Sequence, residues 1–101
     1  MVEPSYRVVV MPRARREILI ASVWWKENRR DAPMAIELAL DEAKDFLSRT
    51  PKGGRPVEDH PGRYVLLLRS VKYSLYYRVD DKARRVRIGM FRHTALPPPE
   101  L

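Results

Sequence analysis

Three short β-type runs follow one another in the C-terminal half of the chain, and their spacing constrains the fold more than any other feature. They cover residues 64–68, 71–79 and 84–91 and are rich in valine, leucine and tyrosine. Only Arg69-Ser70 separates the first two runs, and only residues 80–83 separate the last two. Connections this short favour antiparallel hairpins, because parallel strands need a long crossover. The spacing therefore predicts a three-stranded antiparallel meander.

A strand and a helix are predicted near the start of the chain. Residues 6–11 form a valine-rich run that Pro12 closes, and proline is tolerated in the first turn of a helix. Over residues 13–28 the apolar side chains recur at helical spacing; they are Ala14, Ile18, Ala21 and Trp25, with Val23 and Trp24 widening the stripe. This pattern predicts a helix largely buried in its C-terminal half, with the Trp24-Trp25 pair packed in the core and the helical hairpin.

A second helix is predicted from the clearest periodicity in the sequence. Its apolar set follows helical i, i+3, i+4 spacing and consists of Ile36, Ala39, Leu40, Ala43, Phe46 and Leu47. Asp31 is the expected N-cap, with Pro33 in the first turn, and the helix is expected to stop near Thr50-Pro51. Its acidic positions, Glu37 among them, are expected to lie in solvent or to pair with basic groups nearby.

Residues 51–62 are predicted to form a loop without a strand, since they combine three prolines and three glycines with charged residues. The predicted order is therefore β-α-α-β-β-β. Two helices joined by a short loop must then cover one face of an antiparallel sheet to bury both apolar surfaces. The sequence predicts an α+β, two-layer fold in a single domain of 101 residues, a length that can bury one modest core.

The charge is strongly positive, with 20 basic and 13 acidic residues giving a formal net charge of +7. Most of the excess lies in residues 51–101, and arginine outnumbers lysine. Arginine pairs with carboxylates and phosphates through a planar fork of N–H groups. The composition indicates an acidic partner, which could be a nucleic acid, an anionic surface or an acidic protein segment.

Several classes of protein are disfavoured by composition. The chain has no cysteine and only two isolated histidines, so neither a disulfide framework nor a metal site is expected, and no cofactor is implied. No stretch approaches the roughly 20 apolar residues of a membrane span, and the first 15 residues lack the apolar core of a signal peptide. We expect a cytoplasmic protein without a membrane partner.

Strand alternation predicts which side chains share a face of the sheet. On the second run, residues 71–79, one set of side chains should meet the helices: Val71, Tyr73, Leu75, Tyr77 and Val79. The alternate set, Lys72, Ser74, Tyr76 and Arg78, should point away from the helices. On the last run Val86, Ile88 and Met90 should face one way and Arg85, Arg87, Gly89 and Phe91 the other. The face opposite the helices is therefore expected to present Tyr76, Arg78, Arg87 and Phe91 together, a surface suited to a protein or to a single-stranded nucleic acid.

Several segments together resemble the RelE/ParE superfamily of type II toxin–antitoxin toxins, and in particular its ParE-like, plasmid-stabilisation branch. These segments are the GRPVEDHPGR lead-in, the LLLR run, the YSLYYRVD strand and the terminal IGMFRH. The resemblance implies a small toxin that forms a hetero-oligomer with a cognate antitoxin, ParD-like or of another family. In such complexes apolar antitoxin anchors contact the helices and sheet, and acidic antitoxin groups face toxin arginines.

The resemblance also bears on mechanism, because some members of the superfamily are ribosome-dependent mRNA endonucleases. These enzymes place basic residues on the second strand, at the start of the third strand and after the last strand, with a late Tyr or His. The matching positions here are Val65, Leu67 and Ser74, and the residues after His93 include no Tyr, Arg or Lys. The nuclease constellation is largely absent, which favours a ParE-like toxin that is not an enzyme and inhibits DNA gyrase by binding.

Two alternatives remain open on the sequence. One is an mRNA endonuclease acting with the ribosome through His93, Arg69 and Tyr73, since His can exchange a proton near neutral pH. The other is a module that only binds its antitoxin and is no longer toxic. For the partner-binding surface the candidate residues are Arg69, Tyr76, Arg78, Arg87, Phe91 and Arg92, with Arg85 as a weaker candidate in a turn.

Overall fold

The helices and strands follow the predicted order, with one short strand added. The computed structural model describes residues 5–101, so the expectation about a leader sequence falls partly on residues 1–4, outside that range. The elements are β1 (Arg7–Val10), α1 (Pro12–Asn28), α2 (Ala35–Arg49), β2 (Arg55–Pro56), β3 (Arg63–Leu68), β4 (Tyr73–Asp80) and β5 (Arg85–His93). The α+β architecture, with a helical layer against one sheet, is as predicted.

The sheet is mixed rather than antiparallel throughout, which corrects the prediction for its first strand. Its strand order is β1-β5-β4-β3-β2. The meander of β3, β4 and β5 is antiparallel as predicted, but β1 runs parallel to β5, with Arg7 opposite Arg85 and Val10 opposite Ile88. A parallel pair needs a long connection, and the helices together with the meander supply it.

A two-residue strand lies in the segment that was predicted to be a loop. In β2, Arg55 pairs with Val65 and Pro56 with Tyr64. Proline is tolerated here because β2 is an edge strand. The preceding Gly54 donates its backbone N–H to the Tyr77 hydroxyl at 2.9 Å. A Cβ at Gly54 would lie 2.7 Å from that hydroxyl oxygen and 2.7 Å from the Val65 carbonyl oxygen, so this close approach requires glycine.

The start of α2 differs from the prediction. Asp31 is not its N-cap, because residues 30–34 form turns and Met34 occupies the N-cap position. The backbone N–H of Ala32 donates to the Arg29 carbonyl oxygen, and that of Ala35 donates to the Ala32 carbonyl oxygen. These hydrogen bonds stabilise the turns that reverse the chain between α1 and α2. The apolar face of α2 is confirmed, with Ile36, Ala39, Leu40, Ala43 and Leu47 buried and Phe46 partly exposed.

Glu37 on α2 contacts α1, and its ion pair with Lys26 fits the alternative that this acidic face pairs with nearby basic groups. The Ser22 hydroxyl donates a hydrogen bond to Glu37, and Lys26 Nζ lies 3.5 Å from the same carboxylate. The Ser22 hydrogen bond is the main cause of a lowered pKa for Glu37. A polar contact therefore joins the two helices beside their apolar interface.

The C-terminal half of α1 is less buried than predicted. Ala14 and Ala21 are buried, and Ile18 and Trp25 pack against the core, so these four positions of the predicted apolar stripe are confirmed. Val23 and Trp24 are 47% and 49% exposed, however, because they lie beside that stripe rather than on it. The expectation of a buried Trp pair therefore holds for Trp25 and is wrong for Trp24.

The core lies between the helices and one face of the sheet, which we call the inner face. The β4 alternation is confirmed, since Val71, Tyr73, Leu75, Tyr77 and Val79 all belong to the core or pack against it. Aromatic stacking extends this face, with ring centroids 5.5 Å apart for Tyr64 and Tyr77 and 4.6 Å apart for Tyr73 and Phe91. The opposite, helix-free face is called the outer face below.

Candidate functional site: the outer face of the sheet

A row of three arginines crosses the outer face. The register of β3, β4 and β5 puts Arg63 opposite Arg78 and Arg78 opposite Arg87. Directly opposed residues in antiparallel strands have Cα atoms about 4.5–5.5 Å apart, so like charges there repel. Sequence reasoning proposed Arg78 and Arg87 but missed Arg63, which falls between the predicted loop (residues 51–62) and the predicted first run (residues 64–68). The signal was available, because Arg63 alternates with Val65 and Leu67 on the same strand.

A groove of about 470 Å³ lies in front of this row. It extends from β3 to the start of α1, where Met11 and Arg13 line it. Tyr76 and Met90 also line it, the latter only 9% exposed. The groove therefore combines four guanidinium groups with apolar walls and three tyrosines, Tyr64, Tyr76 and Tyr77.

Phe91 does not lie on the outer face, which corrects one predicted site residue. The ladder between β4 and β5 shifts register between Tyr76 and Tyr77, which pair with Met90 and Ile88 respectively and leave Gly89 as an extra residue. Such a bulge exchanges the two faces for every residue beyond it. Phe91 is consequently 2% exposed in the core, and Met90 takes its place on the outer face.

The bulged segment of β5 is held from the side by α1. The backbone N–H of Phe91 donates to Glu17 Oε1 at 3.0 Å, and Glu17 also lies 3.5 Å from Arg13. β1 pairs with β5 only as far as Ile88, so it does not reach the backbone N–H of Phe91. The Glu17 carboxylate on α1 accepts this hydrogen bond instead. The end of β5 that carries Arg92 and His93 is thereby fixed against the helices.

Asp80 is the acidic residue that meets the arginine row. Its Oδ2 lies 3.3 Å from Arg87 Nη1, and its Oδ1 accepts the Ala83 backbone N–H at 3.1 Å. The hydrogen bond from Ala83 is the main cause, and Arg87 a further one, of a pKa lowered from its ordinary value. Asp80 is therefore ionised near neutral pH and compensates the charge of Arg87.

The segment after β5 folds back over the outer face. Arg92 Nη2 donates to the Pro97 carbonyl oxygen at 3.0 Å. Pro98 and Pro99 line a second groove with Tyr76, and Glu100 lines the arginine groove. Arg92, predicted to bind a partner, is thus engaged with the chain itself, and this contact was not foreseen.

Arg69 lies apart from the other predicted arginines. It occupies the β3–β4 turn and lines a shallow groove with Phe46 and Glu42 of α2. The structure therefore brings together Tyr76, Arg78 and Arg87, places Arg92 nearby, and separates Arg69 and Phe91 from them.

A second exposed surface runs along α1. Leu19 and Ile20 are 64% and 70% exposed, and they continue the uncovered stripe of Val23 and Trp24. We call these four residues the α1 stripe. Exposed Arg15 and Arg16 lie one turn before it on the same helix. An apolar patch with basic neighbours is suited to a partner segment that combines apolar anchors with acidic groups.

Three solved structures share this fold. A chain of the RelBE2 toxin–antitoxin complex from Mycobacterium tuberculosis is 25% identical, with a TM-score of 0.65, and the match covers 94% of this chain and 98% of that one. A chain of the chromosomal ParDE system from P. aeruginosa is 18% identical, with a TM-score of 0.72 and coverage of 90% and 98%. The isolated E. coli RelE toxin is 20% identical, with a TM-score of 0.62 and coverage of 91% and 87%.

The chain therefore has the fold of RelE and ParE toxin–antitoxin proteins. No family model matches its sequence, and no curated protein is significantly similar to it in sequence. The resemblance to RelE/ParE proteins inferred from the sequence segments is thus confirmed by structure, and the assignment to the ParE-like branch stays a prediction.

Within this RelE/ParE fold, the positions matched to the nuclease residues lie on the outer face beside the arginine row. Val65 is opposite Tyr76, and Leu67 is opposite Ser74. Leu67 is 46% exposed, so an uncharged aliphatic patch occupies this part of the face. Neither Val65 nor Leu67 can contact a phosphate through a charge or accept a proton.

The alternative catalytic residues are only partly assembled. Tyr73 and His93 are cross-strand partners with ring centroids 5.1 Å apart, and His93 Nδ1 accepts the Ala95 backbone N–H at 3.0 Å. Burial raises the pKa of Tyr73. Both line a groove of about 590 Å³ with Lys72 and Arg29, whereas Arg69 lines a different groove.

Residues 5–101 contain neither a membrane-spanning helix nor a metal-binding cluster. Neither α1 nor α2 has the length and apolar character of a membrane span. In the same range no three His, Asp or Glu side chains are placed to bind a metal ion together.

Proposed function

We propose that this RelE/ParE-fold protein is the toxin of a type II toxin–antitoxin pair, that it is not an enzyme, and that it inhibits DNA gyrase by binding. The solved RelBE2 and ParDE structures are toxin–antitoxin systems, which supports an antitoxin partner for this chain. Its positive net charge and arginine-rich outer face suit recognition of acidic surfaces.

The observation that carries the non-enzymatic proposal is the aliphatic patch of Val65 and Leu67. Cleavage of RNA through the ribose 2′-hydroxyl needs a proton acceptor, cations around the phosphate and a donor for the leaving oxygen. The matched side chains provide none of these groups except the hydroxyl of Ser74. Binding, rather than chemistry, is the function that this surface supports best.

The α1 stripe is the surface we assign to the antitoxin. It presents four large apolar side chains that the chain itself leaves uncovered, and its basic neighbours would attract an acidic segment. A disordered antitoxin segment that folds on binding could cover both this stripe and part of the sheet. In this proposal the pair forms a hetero-oligomer, as the antitoxin neutralises the toxin by contact.

An mRNA endonuclease is the second candidate, because Tyr73 and His93 lie in one groove with two cationic side chains, Lys72 and Arg29. A hydroxyl, an imidazole and cations are group types that RNA cleavage can use. This alternative would require Lys72 or Arg29 to replace Arg69, which is not in the groove. Ribosome-bound mRNA would then be the substrate.

One set of assays separates these functions. The chain is expressed from an inducible promoter in bacteria, with and without the adjacent reading frame that encodes the candidate antitoxin. Purified protein is then added to gyrase supercoiling reactions and to translation reactions in which mRNA ends are mapped. We expect growth arrest that the neighbour relieves, inhibited supercoiling and intact mRNA.

Other outcomes would contradict the proposal in distinct ways. Cleavage of translated mRNA that His93→Ala abolishes would establish the endonuclease. Arrest with neither supercoiling inhibition nor mRNA cleavage would exclude gyrase as the target. Absence of arrest, with a stable complex between the two proteins, would leave a module that only binds its antitoxin.

A further inference from the structure

Two of the three arginines in the row have no ion-pair partner in the described part of the chain. Asp80 pairs with Arg87 at 3.3 Å. Among residues 5–101, no carboxylate lies within ion-pair distance of Arg63 or Arg78. Because these three arginines are directly opposed, their repulsion raises the free energy of the unliganded protein. An anion bound at the row would relieve it.

The groove in front of the row has the shape and chemistry of an anion site. Its cations, including Arg13, are all arginines, whose planar forks donate two parallel N–H groups to an oxyanion. The groove has space for a group of substantial size, about 470 Å³. Its Met11 and Met90 walls would exclude water from the contacts and strengthen them.

The proline-rich segment after β5, residues 96–101, borders the same groove. It is attached to the sheet through the hydrogen bond from Arg92 to the Pro97 carbonyl oxygen. Glu100 lines the groove, yet in the described part of the chain its carboxylate forms no ion pair with any groove arginine. Three consecutive prolines stiffen the segment, so little backbone entropy is lost when it lies on the face.

We propose that the arginine row binds the phosphate groups of a ligand, and that residues 96–101 form a strap that competes with this ligand for the groove. Glu100 supplies the competing negative charge, and the Arg92–Pro97 contact holds the strap in place. Displacing the strap opens the groove to its full length. This site is distinct from the α1 stripe, and it would bind phosphate whether or not the protein acts on gyrase.

Charge balance favours phosphate over carboxylate. Arg63 and Arg78 leave two positive charges uncompensated, and one carboxylate brings a single negative charge. A phosphate monoester carries about −1.5 to −2 near neutral pH, and two successive phosphodiesters carry one charge each. A single carboxylate such as that of Glu100 can compete for the groove but compensates only one of these two positive charges.

The test compares the full chain with a variant that ends at Ala95. Binding of a fluorescein-labelled 12-nucleotide oligothymidylate is measured by anisotropy at several salt concentrations, with inorganic tripolyphosphate as competitor. Removing the strap should tighten binding about fivefold, the equivalent of roughly 1 kcal/mol. Glu100→Gln, which keeps the segment in place, should shift binding in the same direction by a smaller factor.

Arginine variants in the shortened chain locate the site. Arg78→Ala should reverse the gain and lower the slope of log K against log salt by about 0.7, the loss of one phosphate contact to a single strand. Arg30→Ala is the matched control, since it removes the same charge from the helix–helix turn. It should change the affinity by less than about twofold. Circular dichroism and thermal melting establish that each variant is folded.

Each contrary result overturns a defined part of the proposal. Equal binding by the full chain, the shortened chain and Glu100→Gln would refute the strap. Equal losses from Arg78→Ala and Arg30→Ala would show diffuse charge attraction rather than a site. A Glu-Pro peptide of matched charge that binds as tightly as the oligonucleotide would refute the preference for phosphate. Binding of tripolyphosphate alone would support a phosphate site and identify a small phosphorylated ligand as its source.

Discussion

The two faces of the sheet are built from alternate residues of the same strands, yet they differ in almost every physical property. The inner face is apolar and aromatic, with Leu75 and Ile88 fully buried beneath the helices. The outer face carries the row of Arg63, Arg78 and Arg87, and the proline-rich strap borders its groove. We expect the inner face to supply stability and the outer face to serve the proposed binding function, so substitutions on the two faces should have separable effects.

The largest expected contrast is between two leucine truncations on neighbouring strands. Leu75→Ala on the inner face should lower the free energy of unfolding by about 3 kcal/mol, because it removes buried methyl groups and leaves a cavity. Leu67→Ala on the outer face should cost less than about 1 kcal/mol, since that side chain is half exposed. Urea unfolding of both variants measures the difference. Similar losses would show that the strap and outer face contribute to stability as much as the core does.

A pair of glycine substitutions tests the same contrast through the backbone. Gly54→Ala should cost about 2 kcal/mol, because its Cβ would collide with the Val65 carbonyl and break the hydrogen bond to Tyr77. Gly89→Ala, at the bulge, should change stability by less than about 1 kcal/mol, since the nearest atom to its Cβ is 4.0 Å away. Thermal melting compares the two. A larger loss at Gly89 would mean that the bulge itself depends on glycine.

The polar contact in the helical layer should give stability a pH dependence. Glu37→Gln should cost about 1 kcal/mol at pH 7, because it replaces the charged acceptor of the Ser22 hydrogen bond by a neutral amide oxygen and removes the ion pair with Lys26. The folded-state pKa of Glu37 is below its ordinary value of 4.5, so its contribution is complete above that value and is lost as pH falls through the folded-state pKa. The free energies of unfolding of the two proteins should therefore approach each other as the pH falls below 4.5.

Glu42→Gln is the matched control for this titration, because Glu42 is an exposed carboxylate on the same helix. Its unfolding free energy should follow that of the unchanged protein at every pH. A difference between the unchanged protein and Glu37→Gln that persists at pH 3 would indicate that packing, rather than the charge of Glu37, stabilises the helical hairpin.

The smallest expected effect on stability is on the outer face. Arg78→Ala should change the free energy of unfolding by less than about 0.5 kcal/mol, since it removes an exposed side chain and relieves repulsion from its opposed neighbours. Growth arrest on induction should nevertheless be lost if the outer face contacts the target. A clear fall in Tm together with lost arrest would attribute the loss to unfolding and weaken the separation of the two faces.

Much of the fold follows from local patterns. The periodicity of Ile36, Ala39 and Leu40 identifies α2, and the alternation of Tyr73, Leu75 and Tyr77 identifies the inner face of β4. These signals are readable because each depends on a repeat within one element. Asp31 was misassigned as an N-cap because its residue type fits, while the length needed to reverse the chain depends on both helices. The exposure of Trp24 likewise depends on how α1 is rotated against the sheet.

The candidate site was less predictable than the fold. Tyr76, Arg78 and Arg87 share the outer face as their alternation indicated, and their roles remain predictions. Phe91 was placed on the wrong face because alternation assumes an unbroken ladder, and one extra residue at Gly89 inverts it. Arg63 was missed because its neighbours in sequence suggested a loop, although its partner across the sheet is Arg78.

The sequence by itself determined the order of the elements, the apolar faces of α2 and β4, and the excess of arginine in the second half of the chain. Tertiary structure alone decided that β1 runs parallel to β5, that Met90 rather than Phe91 faces outward, and that the proline-rich strap lies beside the arginine row. The physical reason is that local patterns report the preferences of one element. Register, bulges and strap contacts arise only when distant segments satisfy each other's hydrogen bonds and charges.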